Sequence, residues 1–227
     1  MTTSVEKQTG AFERAPGLAD QVADYVQEQI VSGNLNPGDR IAEARITREL
    51  GVSRGPVREA MRVLSRRHLV DLLPRKGARV SAFGADDVNS LYDLQQALML
   101  LLVRKISGAW RADDLTRFSD LQGDLAEAAD QGDALGMISG SFRFQRAACD
   151  VVGNNYLTSA FVDLQPSFSR AYYRALTVSR QEMKSLADFT FKLITHIVDG
   201  KLAACERLIG QFSERQRRLV LDTFAAR

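Results

Sequence analysis

The stretch that most constrains this chain is ELGVSRGPVREAMRVL, Glu49 to Leu64, where a short amphipathic segment meets a longer one across a single glycine. Ile46 and Leu50 give the first segment an apolar face, and Gly51 follows as a residue free to take the left-handed backbone that ends a helix. Ser53 is placed to cap the next helix by accepting a backbone N–H, and Pro56 falls in its first turn, where a missing N–H costs little. Val57, Ala60, Met61 and Leu64 recur at helical spacing as one apolar stripe. Arg54, Arg58 and Arg62 are each four apart, so they line a different face, directed away from the packing surface.

Around this core, Pro37 to Phe83 reads as two short helices, a tight turn, a longer helix and a basic hairpin. The hairpin strands are Leu69–Leu73 and Ala78–Ala82, separated by Pro74-Arg75-Lys76-Gly77. Gly77 supplies the unusual backbone angles of the turn, and Arg75 and Lys76 project at its tip. Residues 54 to 79 hold eight Lys or Arg against two acids, in a chain whose total charge is only +2. Arginines at i and i+4 can be no more than a solvated helix face. The turn, the cap position and the wing around them favour a winged helix-turn-helix, which places its second helix in the DNA major groove and its wing against the backbone.

The remaining composition suits a globular protein of one or two domains, with 227 residues, 45% hydrophobic and 26% charged. Residues 1–16 lack an apolar segment and read as an N-terminal arm without a secretory signal. No run approaches the roughly 18 apolar residues of a membrane span. Cys149 and Cys205 stand far apart and outside any CxxC spacing, which reads as two buried reduced thiols. These features fit a cytoplasmic protein. An enzyme would need a nucleophile with its base, a metal site or a phosphate loop, and no GxSxG, HExxH, P-loop or dinucleotide fingerprint is present.

Past Ala85 the pattern becomes a succession of amphipathic helices: 86–108, 112–131, 133–152, 155–177, 179–199 and 202–224. The first carries Val88, Leu91, Leu94, Leu98, Leu101 and Leu102 on its apolar side. Asp113 and Asp114 open the second at its positive end, and Gly153-Asn154 closes the third. The fourth is expected to bend or break near Pro166, and Ser179 with Glu182 forms a capping box for the fifth. The fold class is therefore mainly α: a winged helix-turn-helix over 17–83 with a small β-hairpin, followed by an all-α bundle of about six helices over 85–227.

Residues 18–83, with the runs GNLNPGDRI, ELGVSRGPVREAMRVL and PRKGARV, resemble the N-terminal domain of GntR-type bacterial transcription regulators. The resemblance implies DNA contacts at Arg45, Ser53, Arg54, Gly55, Arg58 and Gly77; Arg62, Arg75 and Lys76, from their place on the helix face and wing, are expected on the phosphate backbone. Gly55 stands where relatives carry a hydrogen-bonding side chain, so it offers its backbone alone. The helical remainder, with FRFQRAACDVVGNNYL and the turn at Asp199-Gly200-Lys201, resembles the FCD effector-binding bundle of the FadR subgroup.

In many such relatives an Asp and three His bind a metal that holds a carboxylate effector. The corresponding positions here are Ser141, Gln145, Thr190 and Gln211, and an Arg common in the first bundle helix is replaced by Gln95. None of these is a strong metal ligand, so the expected pocket holds no metal or other cofactor and does not favour a dianionic acid. His68 and His196, the only histidines, are too separated to cluster and read as surface or half-buried residues.

Gln95, Gln145 and Thr190 each sit within an apolar stripe. Two readings stand: they pair with one another or with water, or they line a cavity for a neutral or partly apolar ligand such as an acyl thioester. The expected protein is a homodimeric, ligand-responsive repressor on a short palindromic operator. The alternative is an effector-independent DNA binder whose bundle serves only dimerisation.

Overall fold

The computed structural model describes residues 17–74, 77–178 and 180–225. The arm at 1–16, the wing tip at Arg75 and Lys76 and the cap expected at Ser179 lie outside these residues.

Helix α1 (Leu18–Val31) packs across α3 (Arg54–Arg66), with α2 (Glu43–Leu50) between them in sequence. Val22, Val26 and Ile30 of α1, one turn apart, meet Val57, Ala60, Met61 and Leu64 of α3 in a single buried cluster. Only two helices lie between Pro37 and Phe83, not three, because the first helix of this unit precedes Pro37. Gly51 closes α2 with φ of 64°, the left-handed conformation that glycine adopts without penalty. Ser53 occupies the N-cap of α3 in extended backbone, yet its side chain makes no capping bond. Pro56, three residues on, removes one of the two backbone N–H groups a capping hydroxyl can engage, since proline has none, and that of Gly55 is not engaged either.

The wing is three-stranded, in the order β1-β3-β2, with β1 (Arg40–Ile41), β2 (Val70–Leu73) and β3 (Gly77–Val80) all antiparallel to their neighbours. Gly77 pairs with Leu73 at φ of 83°. The strands start and stop within two residues of expectation. The short β1 was not anticipated, since two residues carry no period. It is held where the Gly38 N–H donates to the Val80 carbonyl and the Val80 N–H to that of Asp39.

The bundle comprises α4 (Ala85–Ile106), α5 (Ala112–Gln131), α6 (Ala134–Val152), α7 (Asn155–Val178), α8 (Arg180–Val198) and α9 (Leu202–Ala225). Local chemistry sets their starts. The Asp87 carboxylate accepts from the Gly84 N–H, Asp114 from Arg111, Asp133 from Gly136, and the Asn154 side chain from Leu157. Gly132 and Gly153 end α5 and α6 with left-handed backbone. Helix α7 runs through Pro166 without the expected break. Leu94 and Leu101 also depart from expectation: they are exposed, and α4 turns Tyr92, Val103 and Ile106 inward instead. At about 100° per residue, Leu94 and Leu101 lie roughly opposite the line from Val88 to Ile106. Cys149 and Cys205 are buried and unbridged, and burial pushes both thiols up from their ordinary range.

The bundle touches the winged unit through α7. Arg170, buried at 5% exposure, donates from Nη2 to the Ser81 carbonyl at 2.9 Å, with its guanidinium 5.0 Å over the Phe83 ring. Phe83 lies 6.1 Å from Phe224 of α9, and Arg174 caps the other side of that ring at 5.1 Å. The end of the wing and the end of the chain are thus joined across two α7 arginines.

Candidate functional sites

The first site is the outer face of α3. Val57, Ala60, Met61 and Leu64 are buried to 1% exposure or less, and that anchors the helix with Arg54, Arg58 and Arg62 turned outward. Arg58 lies 3.6 Å from Glu43, Arg62 is 2.8 Å from Glu59, and Arg45 on α2 is 2.6 Å from Glu49. The Arg45 hydrogen bond holds the Glu49 carboxyl below its ordinary range. Exposed pairs of this kind are worth about 0–1 kcal/mol, so phosphate or a guanine edge can displace the carboxylates readily. Ser53, free of any capping duty, is exposed beside them. Gly55 is also exposed, and nothing lies within 4 Å of where a Cβ would stand, so another backbone can approach closely.

Reading the sequence passed over Arg40, which faces Arg79 across β1 and β3. Both are exposed, and Arg79 lies 3.4 Å from Asp71. The pairing extends the cationic surface from α3 onto the sheet. Its only signal in the sequence was the local charge.

The second site is an enclosed cavity of about 110 Å³ between the bundle helices. Gln95 from α4, Ser141 and Gln145 from α6 and Thr190 from α8 all line it. Gln211 does not: it is exposed, and Ser213, two residues on and so on the opposite side of α9, takes the inward place. That position was legible from Ile209, which lies one turn before Ser213 on the same buried stripe.

Aromatic rings form much of the wall, including Phe118, Phe144, Phe168, Tyr172 and a stacked pair, Phe189 and Phe212, at 4.0 Å. Every lining residue is uncharged. The Ser141 and Thr190 hydroxyls donate to their own helix carbonyls at Ile138 and Ala187. Gln145 Nε2 reaches only the sulfur of Met99, at 3.6 Å. The Ser213 hydroxyl, in a residue 6% exposed, has no partner among the described residues. Amides, hydroxyls and rings do not fit a divalent metal, and no three His, Cys, Asp or Glu cluster among the described residues. His68 is exposed and His196 half-buried, and neither lines the cavity.

Residues 18–80 match the model of bacterial regulatory proteins of the gntR family, and residues 90–214 match that of the FCD domain. An uncharacterized HTH-type transcriptional regulator, YdhC of Bacillus subtilis, is 32% identical over 96 residues, which is 42% of this chain and 43% of that protein. A probable D-xylose utilization operon transcriptional repressor of Paenarthrobacter nicotinovorans is 28% identical over 148 residues, 63% of each chain. This chain thus spans less than two thirds of the length of these curated relatives. Among solved structures, E. coli McbR/YncC superposes with a TM-score of 0.79 at 19% identity, over 92% of this chain and 99% of that one, a likeness of fold. No helix among the described residues is long and apolar enough to cross a membrane.

Proposed function

From the premise that the chain belongs to the GntR family of bacterial regulatory proteins and carries an FCD domain, we propose that it is a ligand-responsive transcriptional repressor acting as a homodimer in the cytoplasm. One observation carries the reading: a helix whose rear is fully buried presents three arginines outward, beside a sheet that adds two more. Arg45, Arg54 and Arg58 read base edges, with Ser53 and Gly55 at the helix start and Gly77 beneath the wing tip. Arg62, Arg75 and Lys76 hold the phosphate backbone. Two such heads meet a short inverted repeat, since twofold protein symmetry calls for twofold operator symmetry.

The FCD bundle binds the effector in the cavity lined by Gln95, Ser141, Gln145 and Thr190, without a metal. An uncharged wall favours a neutral or partly apolar ligand. Such a ligand changes operator affinity only through a difference in its own affinity for two head arrangements. Leu94 and Leu101, apolar and exposed on α4, are candidates for the surface where two bundles meet.

The test is a pair of binding titrations, on operator and on random DNA, across a range of salt. Arg58→Ala should lose about 1–3 kcal/mol on operator and far less on random sequence. Arg62→Ala should weaken both alike and lower the salt slope by about one unit. Equal losses for Arg58→Ala on both DNAs would remove the assignment of that residue as a base reader.

A further inference from the structure

The cavity carries more than the absence of charge. It contains two hydrogen-bond donors that the protein leaves poorly used. Gln145 Nε2 spends its N–H on a thioether, a weak acceptor, at 3.6 Å. The Ser213 hydroxyl is nine-tenths buried and unpartnered. Native proteins rarely leave a buried donor unmet without a reason. The other two hydroxyls in the wall, of Ser141 and Thr190, are already satisfied by carbonyls of their own helices. What these two groups lack is a strong acceptor, and what they can give is an N–H and an O–H.

Size and shape narrow the class further. About 110 Å³ is several times what one water needs, and is of the order of a cavity that takes one six-membered ring. Eight of the lining residues are aromatic, Trp110 and Phe142 among them, within a wall that is otherwise mostly aliphatic. Such walls favour a flat ring held edge-on or offset against them. No lysine, arginine or histidine lines the site. A carboxylate would therefore enter without a counter-charge, and burying it that way is strongly disfavoured.

The geometry points to an uncharged, single-ring ligand bearing one carbonyl-type acceptor, which takes the hydrogen bonds of Gln145 and Ser213. This rests on the reading of the cavity as the effector site, and it narrows that reading to an aromatic ketone, ester or amide of small size. On binding, the Gln145 amide exchanges the Met99 sulfur for an oxygen, and Met99, being flexible, repacks against the ring.

Three matched probes test it on the full chain by calorimetric titration: acetophenone, ethylbenzene and benzoate. They share a ring and differ in carrying an acceptor, no acceptor or a negative charge. Acetophenone should bind at least fivefold tighter than ethylbenzene, in line with about one net hydrogen bond, and benzoate should bind weakest. In the double variant Gln145→Leu/Ser213→Ala, the preference for acetophenone over ethylbenzene should vanish. Should the variant fail to fold, the ranking on the unaltered protein still decides.

Equal binding of acetophenone and ethylbenzene, a preference for benzoate, or a ketone preference that survives the double variant would each overturn the inference while leaving the cavity a ligand site. Binding of none of the three would overturn the inference alone; the effector role of the cavity falls only if ligands that stabilise the bundle leave operator affinity unchanged. The DNA titrations with Arg58→Ala stand apart from both outcomes.

Discussion

Three arginines of the cationic surface rest on a glutamate of their own unit, Arg45 on Glu49, Arg58 on Glu43 and Arg62 on Glu59. These pairs keep the side chains near the helix surface in the absence of DNA at little energetic cost. Ser53 shows how one residue can be read correctly in place and wrongly in role. Its position at the start of α3 follows from the turn, but Pro56 removes one of the two N–H groups its hydroxyl could engage, and the other is not engaged. Ser53→Ala should therefore change stability by less than about 0.5 kcal/mol, against the ~1 kcal/mol of an ordinary cap, while weakening operator binding. Denaturant unfolding beside a DNA titration checks both halves, and a full cap-sized loss of stability would contradict the geometry. Gly51 is the converse case, legible from sequence because only its backbone matters. At φ of 64°, with open space around a built Cβ, Gly51→Ala should cost about 1–2 kcal/mol from strain alone.

At the scale of elements, four of the six bundle helices, α4 to α7, begin or end at a residue with its own mechanism. Asp87, Asp114, Asp133 and Asn154 mark starts, and Gly132 and Gly153 mark ends. What could not be read was which way a broad apolar face turns. Leucine is common all round α4, so Leu94 and Leu101 looked equivalent to Leu91 and Leu102 until the neighbouring helices decided. Gln211 came from the family resemblance and not from the apolar stripe of α9, and Ser213 takes the inward place. The contact of α5 with α6 depends on a small residue that sequence did not flag. A Cβ at Gly140 would stand 2.9 Å from Leu125 Cδ2, a side chain with no exposure. Gly140→Ala should destabilise the protein by about 1–3 kcal/mol through overpacking, measured as a lower midpoint in thermal or denaturant unfolding.

Across the whole molecule, α7 serves both sites with opposite faces. Phe168 and Tyr172 line the cavity, while Arg170 and Arg174 line the cleft against the winged unit. No sequence pattern announced this joint, since an arginine in a helix gives no hint that it will be buried against a distant carbonyl. Burial, with Arg174 nearby, pulls the Arg170 guanidinium down to about 10, so it is charged at neutral pH and its burial is a cost to folding. Above pH 10 the folded chain releases this proton before the unfolded chain does, so the cost shrinks as pH rises toward the ordinary guanidinium range. Arg170→Met should accordingly be more stable than the unaltered chain by about 1–2 kcal/mol at pH 7, with the advantage narrowing above pH 10. Paired denaturation curves at the two pH values check the sign, and a widening gap would refute it.

On the proposed reading as a DNA-bound dimer, a joint that holds the residue just after the last wing strand lets a helix far from any base pair set the angle of the reading head. Swap the bundle for that of a relative, Arg170 included, and the tolerated distance between operator halves should travel with the transplant, even though no residue that touches DNA has changed.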